Sequence, residues 1–468
     1  MRHTFIALMA LLAAGNLSAQ PETPIRIDIN AGKQIATVTK RFNGTNIEDL
    51  NNQTNGGMFS QLIHGEAFEE NIDVDFLNLE RKDYSKIYVV LDERRIPHLL
   101  NQSNVYSRIN WNNLGEKYDF NSNDIYSAGR YGAPENLSGW MFPGRFLVYD
   151  SLPENIQKIM MTRINGNEQV SKYWSKLTSG NPQYKYELIR DGKAYMGRQT
   201  QRISFAAGNG EVGITNHGLY RSGIMFENGK SYDGILRIKA DKPTTIYVSL
   251  RDENNNILAE KPYQLKGDGS YEKVVYELTP NGATINGSFG ISLKAPGTVD
   301  LGFAFLQPGT WGRIEGGWPI QTKFTDALKK QGITAFRYNG SMVDVGADTY
   351  LYRWKLMRGP IDERRITFRS GFNPYATHSF GFIEMLQAAE AINATAIIGM
   401  SMNESYEDIR DFVEYVNGPI SSKWGALRAA DGHPQPYNLK YIQVDNERGI
   451  SRGYVAVSYT HLRAHETR

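Results

Sequence analysis

The sequence predicts a multidomain protein with α/β and all-β parts: a partial (β/α)8 barrel of the TIM type, with about four βα strands, interrupted by a β-sandwich or jelly roll. Three observations lead there. The chain has 468 residues, too many for one ordinary domain. From about 166 to 308, short alternating strands recur between Gly, Asn, Pro and Asp turns, the pattern of a sandwich. From 309 the pattern changes to alternating helix and strand, which implies a parallel sheet or barrel.

Residues 1–19 read as a secretory signal. Arg2 and His3 precede an apolar run, Phe5 to Ala14, and Leu17-Ser-Ala19 supplies small residues for cleavage near Ala19. Export to the periplasm or medium is the expectation, and the run is too short to span a bilayer. There is no Cys, which excludes disulfides, thiolate metal sites and a Cys nucleophile. Lys+Arg minus Asp+Glu is 52 − 50 = +2, so nothing suggests nucleic acid or an anionic membrane as partner.

Residues 20–70 hold N-terminal strands and the first barrel βα unit. Ile25–Asn30 alternates apolar and polar, Ile35–Phe42 continues that style, and the strand ends at Glu48. Gly56–His64 reads as a helix start. Residues 71–165 form an inserted region with no assignable fold, and 166–308 are the sandwich. From 309 to 456 the sequence gives barrel strands two to four. Thr322–Lys330 is a helix and Ile333–Tyr338 a strand. Ser379 caps a helix through Ala391, and Ala396–Met400 is the next strand. Tyr406–Val416 is a helix and Leu439–Val444 the fourth strand. Val457–Arg468 follows no earlier pattern and reads as a non-native adapter-like tail, which would make the chain a C-terminally truncated fragment.

Active sites of such barrels lie at the carboxyl ends of the strands. Three of those ends carry functional groups: Glu48, Arg337 and Asn446-Glu447. Glycoside cleavage needs two carboxyl groups around an oxocarbenium-like transition state. An Asn-Glu pair closing an apolar strand suits an acid beside an amide that holds a hydroxyl. A structural ion pair at the barrel mouth is the alternative for Arg337 and Glu48, and Trp354 either walls the site or packs beneath it. His64, His98, His217, His378 and His433 show no metal-binding spacing, so neither a metal nor another cofactor is expected.

Five stretches, in order, resemble the family 51 glycoside hydrolases, which are α-L-arabinofuranosidases. They are Asn46-Ile-Glu48 with Gly56-Gly-Met-Phe and Ala67-Phe-Glu69; Phe336-Arg-Tyr-Asn-Gly340; Tyr352-Arg-Trp-Lys355 with Gly359-Pro360 and Arg364-Arg365; Glu414-Tyr-Val-Asn-Gly418; and Val444-Asp-Asn-Glu447. The resemblance implies a retaining enzyme that removes terminal non-reducing α-L-arabinofuranosyl residues from plant polysaccharides such as arabinan or arabinoxylan. By position, Glu447 is its general acid/base and Asn446 holds the 2-hydroxyl. Glu48, Arg337 and Trp354 would belong to the substrate site. The family's nucleophilic Glu lies on strand seven, past this chain, so the chain as given is expected to be inactive. Two departures stand out. Met342 replaces a sugar-binding Asn and its thioether cannot make the amide's hydrogen bonds; Asp445 replaces the Gly of the family's "GNE" and adds a carboxylate beside the acid. Another glycosidase of the same clan, an endoglucanase or different furanosidase, is the nearest alternative. The sandwich, through Gly223–Tyr232, Val248–Asp252, Tyr271–Pro280 and Val299–Pro308, resembles carbohydrate-binding modules of families 4 and 9. Its aromatics fit a packed core equally well, and a non-catalytic glycan-binding protein is the alternative of a different class.

Overall fold

A computed structural model of the protein describes residues 28, 30, 32–33, 36–48, 52–68, 87–91, 97–101, 145–147, 169–171, 173–189, 191–197, 199–340, 353–364, 367–368, 376–401 and 404–446. The expected signal (1–19), most of 71–165 and the tail (457–468) lie outside these residues, as do Met342 and Glu447. The chain divides into Met1–Lys40 and Arg41–Arg468. In the first unit residues 36–39 carry no strand, so the alternation read from Ile35 does not form one there. All the named strands and α-helices belong to the second unit.

Its strands in chain order begin with β1 (Gly44–Ile47) and a small antiparallel sheet of β2 (Ile87–Leu91), β3 (Pro97–Asn101) and β4 (Arg145–Leu147). Nine more follow: β5 (Trp174–Ile189), β6 (Thr200–Asn216), β7 (Ile224–Phe226), β8 (Tyr232–Lys239), β9 (Thr244–Arg251), β10 (Ile257–Leu265), β11 (Glu272–Leu278), β12 (Thr284–Leu293) and β13 (Gly297–Pro308). These nine form one antiparallel sheet folded into two layers. The hinge is the long β5–β6 ribbon. Its residues 212–216 pair with β12, whereas 201–205 pair with β13. Between those stretches Gly180, Gly208 and Gly210 all take positive φ, and a Cβ on Gly210 would sit 1.9 Å from the Ser179 carbonyl oxygen. Only glycine lets the ribbon turn there. Tyr276 on β11 stacks on Phe289 of β12 at 5.6 Å, although those strands are far apart in the sheet order. The two layers therefore close on one core, as the alternating sequence predicts.

The C-terminal part contains α1 (Thr322–Lys330), β14 (Ala335–Tyr338), the short β15 (Thr367–Phe368) and β16 (Ala376–Thr377), α2 (Phe382–Ala391), β17 (Thr395–Met400), α3 (Tyr406–Asn417), α4 (Lys423–Ala430) and β18 (Tyr441–Val444). β1, β14, β17 and β18 form a four-stranded parallel sheet in that order. One face, carrying Ile47, Phe336, Tyr338, Ile398 and Met400, is buried with α2 and α3 in a common core. Ser379 does not cap α2. Gly381 holds that place and its N–H donates to Glu384 Oε2 at 2.9 Å, so the Glu side chain satisfies the helix start.

The helix expected from Gly56 is not there. After a single turn at Thr54–Met58, broken where Asn55 has ψ 116° and Gly56 φ 86°, the chain runs out without helix. Tertiary contacts take over its backbone: Leu62 N–H donates to Leu306 O at 2.8 Å, and Glu66 O accepts from Ala304 N–H at 2.8 Å. The segment is thus clamped against β13. That strand is buried on both sides, Ala304 and Leu306 facing the sandwich core and Phe303 and Phe305 the parallel-sheet core. Phe59 bridges the two, its ring 5.9 Å from Phe305 and 5.4 Å from Phe380. Arg237 adds a bond to Asp362 Oδ2 at 2.8 Å. The sandwich is built into the parallel-sheet domain rather than tethered to it. Among the described residues no helix is long and apolar enough to cross a membrane, and no group of His, Asp or Glu is placed to hold a metal ion.

Candidate active site

Side chains alternate along a strand, so the residues opposite the helix-covered face share the other one. Asn46 and Arg337 are register partners, as are Arg337 and Ile397, and Gly399 and Gln443. All five positions therefore lie on one face, at the carboxyl ends of the strands. β17 separates β14 from β18, yet its position beside Gln443 is glycine, and the Arg337 side chain spans the gap.

A continuous polar network results. Glu48, 9% exposed, accepts from Asn46 Nδ2 at 2.6 Å and lies 3.6 Å from Arg337 Nη1. Its backbone N–H donates to Gln53 Oε1 at 3.0 Å, which holds the chain as it leaves β1. Arg337 then donates from Nε to Gln443 Oε1 at 2.6 Å and from Nη2 to Asn446 Oδ1 at 2.7 Å. Three of the residues singled out in the sequence, Glu48, Arg337 and Asn446, come together through one guanidinium. A cation with five donors in a fixed fork can join a carboxylate and two amides in this way.

The backbone is shaped to admit this pair. Gly340 follows β14, and a Cβ there would lie 1.8 Å from Glu48 Oε1 and 2.9 Å from Arg337 Nη1. Its glycine serves close approach, since its φ is not in the left-handed region.

Trp354 takes the packing role of the two open to it. Its ring is fully buried among Phe412, Tyr415 and Trp424, at centroid distances of 5.4, 5.4 and 5.0 Å, and its Nε1–H donates to Asp408 O at 3.1 Å. No face of the indole is left for a sugar, which corrects its placement in the substrate site. Asp445 is 1% exposed, and its Oδ1 accepts the Asn446 N–H at 2.7 Å.

Sequence reasoning passed over Gln443, the one amide in the apolar run Tyr441–Val444; its polarity at an inward-facing strand position was the available signal. It also passed over Glu404, just beyond β17. Glu404 is 6% exposed and bonded to Arg353, but burial outweighs that cation and pushes its carboxyl up to about 7. Arg353 also lies 3.6 Å from Asp408, which in turn meets Lys355 at 2.6 Å.

Residues 327–465 match the family described as the alpha-L-arabinofuranosidase 1 domain. An extracellular exo-alpha-L-arabinofuranosidase of Streptomyces chartreusis is 25% identical over 308 residues, covering 60% of this chain and 36% of that protein. Alpha-L-arabinofuranosidase 2 of Arabidopsis thaliana is 26% identical over 255 residues, covering 51% of this chain and 37% of its own length. The chain thus spans well under half of these relatives. An arabinose-bound GH51 α-L-arabinofuranosidase shares the fold with TM-score 0.59 at 17% identity, over 92% of this chain and 57% of that one. In sequence over its C-terminal part the chain is similar to α-L-arabinofuranosidases, and in fold over most of its length it is similar to a GH51 α-L-arabinofuranosidase.

Proposed function

We propose that the protein is an exported retaining glycosidase that hydrolyses terminal non-reducing α-L-arabinofuranosyl residues on plant polysaccharide side chains. The observation that carries this reading is the network joining Glu48, Arg337 and Asn446 at the carboxyl ends of three parallel strands, immediately before Glu447 in the chain. Glu447 protonates the leaving-group oxygen as the glycosidic bond breaks, and later takes a proton from the water that releases the sugar. Asn446 binds the hydroxyl next to the reacting carbon. Glu48 and Arg337 line the same subsite and fix its charge.

The attacking carboxylate comes from a later strand than the four described. The sheet itself supports this. Parallel sheets are ordinarily covered on both faces, but here Asn46 and Tyr441 are exposed on the face opposite the helices. Closure into a full barrel would cover that face and bring a second carboxylate opposite Glu447. The sandwich serves as a wall of the catalytic body.

The test compares Glu447→Gln with the parent enzyme carrying its complete barrel. Loss of general acid catalysis should reduce turnover of unactivated arabinofuranosides about 10²–10⁴-fold, with a much smaller effect on 4-nitrophenyl α-L-arabinofuranoside, whose leaving group needs little protonation. Equal losses on both substrates would remove Glu447 from the acid role. Turnover by the 468-residue chain would overturn the placement of the nucleophile.

A further inference from the structure

We propose that Gln443 and Asp445 are positioning residues that set the orientation of Asn446, so that it meets the sugar as a hydrogen-bond donor; this rests on the glycosidase reading above. Asp445 sits in the left-handed region at φ 58°, a conformation that costs a non-glycine residue free energy and persists where surroundings enforce it. Three bonds enforce it here. Its N–H donates to Met400 O at 2.6 Å, its carbonyl accepts from Gln443 Nε2 at 2.6 Å, and its Oδ1 accepts the Asn446 N–H at 2.7 Å. Gln443 Oε1 at the same time accepts Arg337 Nε, and Arg337 Nη2 donates to Asn446 Oδ1. The ring Arg337–Gln443–Asp445–Asn446 is closed.

A guanidinium can only donate, so the Asn446 oxygen must face Arg337 and the amide nitrogen must face the other way. The sense of this amide is thereby decided by the protein before any ligand arrives. A sugar hydroxyl bound by Asn446 is met by N–H and must accept. Asp445 adds a side-chain lock that a glycine in this turn would lack, while glycine would adopt the same φ without strain.

The experiment uses Asp445→Gly, Asp445→Asn and Gln443→Leu, with two independent readouts. In the 468-residue chain labelled with ¹⁵N-arginine, the Arg337 Nε–H should be protected from water exchange in the parent and in Asp445→Asn, and lose that protection at least about tenfold in Gln443→Leu. In the enzyme carrying its complete barrel, Asp445→Gly should lower kcat on arabinofuranosides roughly 10–100-fold, the usual effect of disturbing residues behind a functional side chain. KM should be nearly unchanged, and the unfolding temperature should fall by no more than about 2 °C because relief of the φ strain offsets the lost lock. Asp445→Asn, which tolerates this φ and keeps an oxygen acceptor, should restore kcat to within about threefold. Unchanged kcat in Asp445→Gly, or unchanged Arg337 exchange in Gln443→Leu, would overturn the proposal. If the parent enzyme does not cleave arabinofuranosides while the exchange pattern is as stated, the glycosidase reading fails and the positioning ring stands.

Discussion

Replacing Gly340 by alanine tests whether the Glu48–Arg337 pair shapes this site. The added methyl would overlap Glu48 Oε1 at 1.8 Å and Glu48 Cδ at 2.4 Å, so the carboxylate must withdraw. Retreat from 3.6 Å to about 5.5 Å from Arg337 loses roughly 1.6 kcal/mol of attraction at an effective dielectric near 20. Both side chains are less than a quarter exposed, at 11% and 24%, so solvent screening leaves most of that value in place. Breaking the 2.6 Å bond from Asn46 to the same oxygen costs about 1.5 kcal/mol more. The total is about 3 kcal/mol, which should shift urea unfolding of the parallel-sheet domain by about 1–2 M, followed by fluorescence of its buried tryptophans. Gly359→Ala is the control for backbone strain. Gly359 has φ 84° and nothing within 4 Å of its added Cβ, so it should lose only about 1 kcal/mol. In a Glu48→Ala background the clash is gone, and Gly340→Ala should cost much less than in the parent. The reasoning is refuted if Gly340→Ala unfolds with the parent, or if it costs the same with and without Glu48.

Phe305→Ala should cost about 3–5 kcal/mol, because the ring is 2% exposed and packs on Phe59 between the two cores. Hydrogen exchange should rise in β14 and β17 as well as in the sandwich; a rise in the sandwich alone would show that the modules are independent. Glu404 binds its proton more tightly folded, with a pKa near 7, than unfolded, near the ordinary glutamate value of 4.5. Its stabilising contribution is therefore complete below about pH 4.5 and is lost as pH rises to about 7, by at most about 3 kcal/mol. Glu404→Gln should remove this slope, since Arg353 keeps Asp408 at 3.6 Å. Equal falls in melting temperature between pH 5 and pH 8 in parent and variant would dismiss it.

Much of the architecture is legible in the sequence because it rests on local periodicity. Thr322–Lys330 and Tyr406–Asn417 form where the 3.6-residue pattern places them, and Glu48, Arg337 and Asn446 lie at or just beyond the ends of β1, β14 and β18, as the sequence predicts. The failures share one cause. Gly56–Ile63 carries apolar residues suited to a helix, but β13 lies beside it and takes its backbone hydrogen bonds. The sequence leaves Trp354 open between walling the site and packing beneath it, because whether its ring is covered depends on Phe412, Tyr415 and Trp424, which lie on helices much later in the chain.

The sequence by itself determined the order of elements, the folding of the sandwich strands and the set of polar groups delivered to the sheet's carboxyl edge. Tertiary structure alone decided how those groups are used. Arg337 bonds to Gln443 and Asn446 across separations of 106 and 109 residues, and no local pattern encodes a partner that distant. Burial decided the rest: it left Trp354 no free face, pushed the Glu404 carboxyl toward neutrality, and made a glycine obligatory at 340 by bringing a carboxylate to where its side chain would stand.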